Sequence, residues 1–151
     1  MVVVIADQAS KAWIVANVDR PIEVIGDLVR LIIVRNDGGI FGLFGNSATI
    51  LGIASTAVIA LIVVYQWREG VAGPWLLTLG LGLLLGGAVG NLVDRLRYGY
   101  VVDFVDMGIG NLRFYTYNVA DAAISTALLI LILLALLGTR LSDRLRHQSA
   151  A

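Results

Sequence analysis

The sequence predicts a mainly α-helical membrane protein, a bundle of four transmembrane helices with a small β element at the membrane surface. The chain has 151 residues, of which 58% are hydrophobic and 15% are charged, and its mean hydropathy is +0.86. A soluble globule of this size has too little interior to bury that much apolar surface, so lipid is the expected solvent. The length suits a single domain, residues 1–151.

The first predicted span, residues 1–18, is apolar but carries Asp7 and Lys11. Their i, i+4 spacing lets the two side chains pair on one helix face. An unpaired charge at mid-bilayer costs at least about 2.5–3.5 kcal/mol, so we expect the pair to face the bundle interior. A buried soluble helix and a cleaved signal peptide are alternatives, but no basic residue precedes the apolar segment as a signal peptide would require. Because only six residues precede Asp7, a start upstream of Met1 is also open.

The first loop, residues 19–37, has a strand-turn-strand pattern. Residues 21–25 and 28–34 are rich in β-branched side chains, and Gly26 and Asp27 separate them. β-Branched segments on either side of a Gly-Asp pair are typical of two strands joined by a turn. The loop therefore predicts a small two-stranded element at the membrane surface.

The second and third predicted spans, residues 48–66 and 70–93, hold no charge over 19 and 24 residues. About 20 helical residues are enough to cross the ~30 Å of bilayer hydrocarbon. In the third span, Gly82, Gly86 and Gly90 recur every four residues. Small residues at this spacing form a smooth strip on one helix face, where we expect a neighbouring helix to approach closely.

The second loop, residues 94–116, has strand patterns at 101–105 and 112–117 with glycines between them. The fourth predicted span, residues 118–139, holds no charge over its last 18 residues, and residues 140–151 form a polar tail. An even number of spans places both termini on one side of the membrane. The arginines are divided between the two sides, so the positive-inside rule does not decide which side that is.

Polar side chains collect at the ends of the predicted spans on one side of the membrane. They end the third span, begin the fourth, and occur in both loops. Because these segments share one side, we expect their side chains to converge in one interfacial pocket. The residues are Asn36, Asn91, Asp94, Arg95, Asp103, Asn118 and Asp121.

Each of these residues also has a purely structural interpretation. Asn118 could cap the fourth helix, with Asp121 in its first turn favourably placed toward the helix dipole. Asp94 and Arg95 could anchor the third helix at the interface. Asp103 could be a solvated loop charge, as could the Asp three positions later. Such interpretations explain poorly why carboxylates, carboxamides and an arginine crowd one end of an otherwise apolar protein.

Composition excludes several kinds of chemistry. The chain has no Cys, so it has no disulfide, thiolate metal site or Cys nucleophile. Its single His, His147, lies in the polar tail, which argues against a Ser-His pair and a His-ligated zinc. A formal net charge of zero gives no indication of nucleic-acid binding.

Three other functions compete with a carboxylate enzyme. A transporter or channel would need polar residues near the middle of several spans, but the second, third and fourth are apolar there. Ser10 and Lys11 cannot form a Ser-Lys pair, because adjacent helix residues point about 100° apart. No spacing pairs Lys11 with Ser47, Ser55 or Ser125. A non-catalytic scaffold would tolerate loss of either Asp103 or Asp121.

Five motifs in order along nearly the whole chain resemble those of the lipoprotein signal peptidase, or signal peptidase II, family. They are Asp-Gln-x-x-Lys at 7–11, Asn-x-Gly-x-x-Phe at 36–41, Gly-Gly-Ala-x-Gly-Asn-x-x-Asp-Arg at 86–95, Gly-x-Val-x-Asp-Phe at 99–104 and Tyr-Asn-x-Ala-Asp at 117–121. Any one of these motifs would be a weak signal. Together, and placed in this way against the predicted spans, they are highly specific.

The chain departs from the family pattern at three places. Gly39 and Ile40 replace a usual Ala-Ala, which would reshape the pocket wall. Tyr117 replaces a usual Phe, and the amino-terminal segment is short, which affects the anchoring of the first span. None of these departures touches the residues that the family uses for chemistry.

The resemblance implies an aspartyl endopeptidase of the bacterial cytoplasmic membrane that removes signal peptides from prolipoproteins, cutting before a diacylglyceryl-modified Cys. It implies a monomer that meets lipid and its prolipoprotein, with no nucleic acid, metal or organic cofactor. Loops 19–47 and 94–117 would be extracytoplasmic, with a small β-cradle over the active site, and the tail would be cytoplasmic. The implied catalytic pair is Asp103 and Asp121. The implied substrate-binding or site-shaping residues are Asp7, Lys11, Asn36, Gly38, Asn91, Asp94, Arg95, Asn118 and Ala120.

Two carboxyl groups that share one site suit amide hydrolysis. They cannot both ionise cheaply, so one keeps a proton while the other is charged. The charged group would take a proton from water and the protonated group would donate to the peptide carbonyl oxygen. Because their titrations are coupled, the sequence does not assign base and acid. We expect Asp7 and Lys11 to serve stability or placement rather than the chemical step.

Overall fold

The computed structural model describes residues 1–37, 48–69 and 75–149 of the chain. Outside these ranges lie residues 38–47, which include the end of the 36–41 motif and Ser47, residues 70–74 at the start of the third predicted span, and the last two residues of the tail. The elements follow one another as α1 (Val2–Asn17), β1 (Ile22–Ile25), β2 (Val29–Asn36), α2 (Ala48–Glu69), α3 (Trp75–Tyr98), β3 (Val101–Ile109), β4 (Leu112–Arg113) and α4 (Val119–Ser149).

Among the described residues, three helical segments are long and apolar enough to cross a membrane: Ile50–Arg68, Trp75–Tyr98 and Val119–Leu137. These correspond to the second, third and fourth predicted spans. The first predicted span is a helix, α1, but its 16 residues extend about 24 Å at about 1.5 Å per residue, less than ~30 Å of hydrocarbon. A fourth transmembrane helix is therefore not confirmed and stays a prediction.

Two helices continue beyond the ends of the predicted spans. α3 continues to Tyr98, so Asp94 and Arg95 stand on its last turns. The backbone of α4 stays helical to Ser149, so the predicted tail, 140–151, is largely helix. The apolar segment ends where charges begin, but the helix does not, because Arg and Leu favour helix in water as well as in lipid.

The glycine strip of α3 packs against α1 over part of its length. A Cβ added to Gly86 would lie 2.7 Å from the Cβ of Val3, and one added to Gly90 would lie 2.7 Å from Oδ2 of Asp7. Nothing lies within 4 Å of the equivalent atom at Gly82. Close packing is thus confirmed at two of the three glycines. It brings the charged face of α1 against α3.

The two loops together form one antiparallel sheet in the order β1-β2-β3-β4, which confirms a small β element. Between β1 and β2, Gly26 has a φ of +47°, a left-handed conformation that residues with a Cβ rarely adopt. β2 pairs with β3, so that Val34 lies opposite Asp103 and Asn36 lies opposite Val101. This pairing was not predicted, and it brings Asn36 close to Asp103.

A small apolar cluster joins α1 to the sheet. Its buried members are Ile14 and Val18 at the end of α1 and Phe104 on β3. Successive side chains of a strand point to opposite faces. Because Phe104 points into this cluster, its neighbour Asp103 points away from it, toward α3 and α4.

Candidate active site

Asn118 lies directly before α4 and both caps the helix and reaches the neighbouring strand. Its Oδ1 accepts a hydrogen bond from the backbone N–H of Asp121 at 3.0 Å, and its own backbone N–H donates to Oδ2 of Asp121 at 3.2 Å. This reciprocal arrangement is a capping box. Its Nδ2 also donates to Oδ1 of Asp103 at 2.6 Å. The capping interpretation is therefore confirmed, and the same residue links the two candidate catalytic carboxylates.

Asp103 lies on β3 and is only 1% exposed. Besides the contact with Asn118, its Oδ2 accepts a hydrogen bond from Nδ2 of Asn36 at 2.8 Å. Burial, followed by the negative charge of Asp121, raises the pKa of Asp103 to about 7. The hydrogen bonds from Asn36 and Asn118 have the opposite effect and lower this pKa. Near neutral pH this carboxyl group can therefore hold or release a proton. Its interpretation as a solvated loop charge is wrong.

Asn91 orients the second carboxylate. Its Nδ2 donates to Oδ1 of Asp121 at 2.7 Å. Its Oδ1 accepts hydrogen bonds from Nζ of Lys11 at 3.0 Å and from Nδ2 of Asn118 at 3.2 Å. Two donors at the amide oxygen force the amide nitrogen to face Asp121, which is partly buried in the first turn of α4.

Lys11 lies between two buried carboxylates. Its Nζ is 2.8 Å from Oδ2 of Asp7 and 2.8 Å from Oδ2 of Asp94. The exposed fractions of these residues are 4%, 0% and 1%, in the order Lys11, Asp7 and Asp94. Such charges are tolerable in a buried site only when they are paired and hydrogen-bonded. The predicted i, i+4 pair thus becomes a three-charge cluster that ties α1 to α3.

The two carboxylates of this cluster also hold the backbone on either side of the site. Oδ1 of Asp7 accepts from the backbone N–H of Ala120 at 3.0 Å. Oδ2 of Asp94 accepts from the backbone N–H of Val102 at 3.0 Å. Ala120 and Val102 each come directly before a candidate catalytic aspartate. Lys11 therefore joins the two anchors that set the backbone positions of both.

A groove of about 1350 Å³ leads from the apolar part of the protein to this polar cluster. Its walls are largely aliphatic, with Leu51, Val58, Leu84 and Leu128 among them. The polar side chains of the candidate site that line it are Asn36, Asn91, Arg95, Tyr115 and Asp121. The groove can therefore hold an apolar chain beside Asp121.

Arg95 is one of the two arginines among the described residues that line this groove. It stands one turn beyond Asn91 on α3, is partly buried, and its Nη1 donates to the backbone O of Asn91 at 3.3 Å. Its charge lies close enough to Asp103, Asp121 and Asp94 to interact with all three. The structure thus brings together the predicted site residues that it describes. Gly38 lies outside the described residues.

Two polar residues at the site were not predicted from the sequence. Gln8 donates through Nε2 to Oδ1 of Asp94 at 2.8 Å and to Oδ2 of Asp7 at 3.2 Å. Its place inside the 7–11 motif was a signal that could have identified it. Tyr115 approaches Asn36, whose Nδ2 donates to its Oη. No periodicity or spacing in the sequence indicated Tyr115.

Asp106 is not a solvated charge either. It is 3% exposed, and its Oδ2 lies 2.6 Å from Nη2 of Arg30 and 2.8 Å from Nη2 of Arg113. Hydrogen bonds from these two guanidinium groups hold the pKa of Asp106 below its usual value, with Arg113 the larger influence. The ion pairs connect β2, β3 and β4 and so stabilise the sheet beside the site.

The serine-lysine alternative finds no support among the described residues. Ser10 donates through Oγ to the backbone O of Asp7 at 2.8 Å, as serines commonly do inside helices. Lys11 is engaged by two carboxylates and an amide oxygen. A charged, fully bonded lysine cannot act as the base for a serine nucleophile.

Comparison with known proteins identifies close relatives. The model of the family described as Signal peptidase (SPase) II matches residues 1–137. The lipoprotein signal peptidase of Syntrophomonas wolfei subsp. wolfei is 39% identical over 147 residues, covering 95% of this chain and 94% of the relative. That of Moorella thermoacetica is 40% identical over 133 residues, covering 87% and 85%.

Solved structures agree with the sequence comparisons. A bacterial membrane enzyme determined by the in meso method at 2.3 Å resolution matches with a TM-score of 0.81 and 29% identity, over 91% of this chain and 85% of that one. A second, at 1.9 Å resolution, matches with a TM-score of 0.76 and 29% identity, over 89% and 88%. With its apolar helices, the chain is a multi-pass membrane protein.

Proposed function

The chain belongs to the signal peptidase II family, and we propose that Asp103 and Asp121 are the catalytic pair with which it removes signal peptides from prolipoproteins. Membership makes it an aspartic-type peptidase, and relatives of this length carry the name lipoprotein signal peptidase. The finer parts of the proposal are the aspartyl mechanism, the bond that is cut and the side of the membrane on which this happens.

One observation carries the proposal: Asn118 hydrogen-bonds both carboxylates, one on β3 and one on α4, and so holds them at a single site. Their proximity is also apparent in the pKa of Asp103, which burial and the charge of Asp121 raise to about 7. Two acids that interact in this way share a proton near neutral pH. This is the protonation state that a general acid and a general base need together.

The mechanism follows from this shared proton. The ionised carboxylate takes a proton from a water molecule, and the resulting hydroxide attacks the carbonyl carbon of the scissile peptide. The protonated carboxyl donates to the carbonyl oxygen, and the same groups then return a proton to the leaving amine as the C–N bond breaks. Asn36, Asn91 and Asn118 keep the carboxylates in place, and Arg95 can bind the carbonyl groups of the substrate chain.

The groove suits a lipidated substrate. Its aliphatic walls can bury acyl chains, and burying each methylene is favourable by about 0.8 kcal/mol. Asp121 lines the groove, and Asn118 connects it to Asp103, so the peptide attached to the lipid would lie beside the carboxylates. We therefore propose that the cut lies before a diacylglyceryl-modified Cys. We also propose that the enzyme is a monomer of the bacterial cytoplasmic membrane and that its site faces the extracytoplasmic side.

Cleavage of a lipidated prolipoprotein in detergent or vesicles tests the pair. We expect Asp103→Asn and Asp121→Asn each to lower the rate at least 10³-fold while the protein stays folded, since each removes a proton-transfer group. Asp19→Asn is the matched control, because Asp19 is exposed beyond the end of α1. Substantial cleavage by either dyad variant would reject the mechanism. Cleavage of unlipidated substrate at the same rate would reject the role of the groove.

A further inference from the structure

Tyr115 lies in the short segment between β4 and α4, beside one of the two carboxylates. Its Oη accepts a hydrogen bond from Nδ2 of Asn36, and the same Nδ2 donates to Oδ2 of Asp103 at 2.8 Å. An amide nitrogen has two hydrogens, so it can serve both acceptors. The phenol, the carboxamide and the carboxylate therefore form one connected group.

Tyr115 lines two cavities. The large groove is lined by Asp121 together with Tyr115 and Asn36. A smaller cavity of about 360 Å³, between β2 and residues 114–116, is lined by Asp103 and again by Tyr115 and Asn36. The Tyr115–Asn36 pair therefore lines a cavity with each member of the catalytic pair.

The phenol is placed to donate its hydrogen. A hydroxyl group carries one hydrogen, and the oxygen of Tyr115 is already an acceptor for Asn36. The side chain of Tyr115 also makes a hydrogen bond with Asp103. Burial, followed by the charge of Asp103, raises the pKa of Tyr115 to about 12. The phenol is therefore protonated throughout the working pH range.

We propose that Tyr115 is a positioning residue of this peptidase, whose hydroxyl holds the Asp103 carboxylate by a hydrogen bond, with Asn36 as the link between them. The inference rests on the proposed role of Asp103. Asn118 donates to Oδ1 of Asp103, and Asn36 donates to Oδ2. Tyr115 approaches the carboxylate from the side of Asn36. The carboxylate is then fixed on both sides while water or substrate approaches.

The hydrogen bond has a definite effect on titration. It stabilises the charged form of Asp103, so its loss raises the pKa of Asp103 above the present value of about 7. The groups that face Asp103 from the other elements are Asn36 on β2, Lys11 on α1, Arg95 on α3, and Asn118 and Asp121 at α4. Removing only the phenolic oxygen takes one acceptor from Asn36, and it takes none of the hydrogen-bond partners described above for the other groups.

The test compares Tyr115→Phe with Tyr117→Phe, using cleavage of a lipidated prolipoprotein across pH 5 to 9. Tyr117 is two residues away, its hydroxyl donates to Sδ of Met107 at 2.9 Å, and the family motif has Phe at its position. We expect Tyr115→Phe to lower kcat roughly tenfold, as loss of a hydrogen bond to a charged group does. We also expect its pH profile to move to higher pH, with the melting temperature unchanged. Tyr117→Phe should match the parent in all three.

Several outcomes overturn the inference. The first is a Tyr115→Phe variant with the kcat and the pH profile of the parent. The second is a Tyr115→Phe variant that loses activity together with melting temperature while its pH profile stays that of the parent. Asp103→Asn in the same assay separates this inference from the proposed function. If Asp103→Asn is inactive and Tyr115→Phe is normal, only the role of Tyr115 fails. If Asp103→Asn is active, the catalytic pair itself is wrong.

Discussion

Replacing Asp103 by Asn should change how the stability of this protein depends on pH. In the folded chain the pKa of Asp103 is about 7, because burial and Asp121 disfavour its charge, whereas the ordinary value is 3.8. Between those two values the folded state keeps a proton that the unfolded state has released. The contribution of Asp103 to folding stability therefore falls as pH rises through this interval. It is lowest above pH 7. The Asn variant has no such proton.

The size of the effect follows from the two pKa values. A shift from 3.8 to about 7 is roughly three pH units, and at about 1.4 kcal/mol per unit it corresponds to about 4 kcal/mol. This is an upper bound, because part of the shift belongs to the pair rather than to Asp103 alone. The substitution also has a cost that does not vary with pH. Asn36 and Asn118 each donate to one oxygen of the Asp103 carboxylate. The side chain of Asn has only one oxygen, so one of these two donors loses its acceptor in the variant.

The measurement is the free energy of unfolding of parent and variant in one detergent at pH 4.5, 5.5, 6.5 and 7.5. We expect the variant to gain on the parent steadily between pH 4.5 and 7, by up to about 3 kcal/mol across this series. Asp106→Asn is the matched control. Arg113 and Arg30 hold the pKa of Asp106 below its usual value, so its loss should destabilise by a nearly constant amount across this series, and the deficit should shrink only as pH falls below about 4. A difference for Asp103→Asn that stays constant with pH would refute the reasoning.

Three further predictions concern the charge cluster, the helix packing and the reaction. Lys11→Met leaves Asp7 and Asp94 buried without a cation, so the free energy of unfolding should fall by about 3–5 kcal/mol. Adding Asp94→Asn removes one of the unpaired charges and should recover part of this loss. Normal thermal stability of Lys11→Met would contradict the prediction. Gly87→Ala places a Cβ 2.5 Å from the backbone oxygen of Ala120 in α4, so it should lower the free energy of unfolding by about 1–3 kcal/mol and with it the melting temperature. Gly82→Ala adds a Cβ with nothing within 4 Å and should leave the melting temperature unchanged. Cleavage should decline as pH rises above about 7, because the carboxyl pair then loses its shared proton, and a rate that keeps rising to pH 9 would contradict a carboxyl acid.

The membrane helices and the first hairpin could be predicted because their signals are local. A long segment without charge requires lipid or a buried core, and a Gly-Asp pair between β-branched segments predicts a turn. These properties do not depend on distant residues, so α2, α3, α4 and the β1–β2 hairpin were placed nearly as the structure has them. The helix α3 continues past the apolar segment to Tyr98, because charge marks the edge of the apolar segment rather than the end of a helix.

The surroundings of each polar side chain were harder to predict. Asp103 and Asp106 stand three residues apart on one strand, yet one faces a second carboxylate and two carboxamides and the other faces two arginines. Their pKa values consequently move in opposite directions. Strand alternation puts them on opposite faces, but the strand's own sequence does not say which elements pack on each face. Tyr115 was missed for the same reason.

By itself, the sequence determined that the chain lies in lipid, where its apolar helices run and which polar residues stand at their ends, since hydropathy and turn chemistry act over a few neighbouring residues. Only the tertiary structure decided that Lys11 joins two anchors, that β2 pairs with β3, and that Asn118 touches both carboxylates. These contacts join residues up to 113 positions apart. Such partners are selected by how helices and sheet pack together, and that packing depends on the whole chain at once.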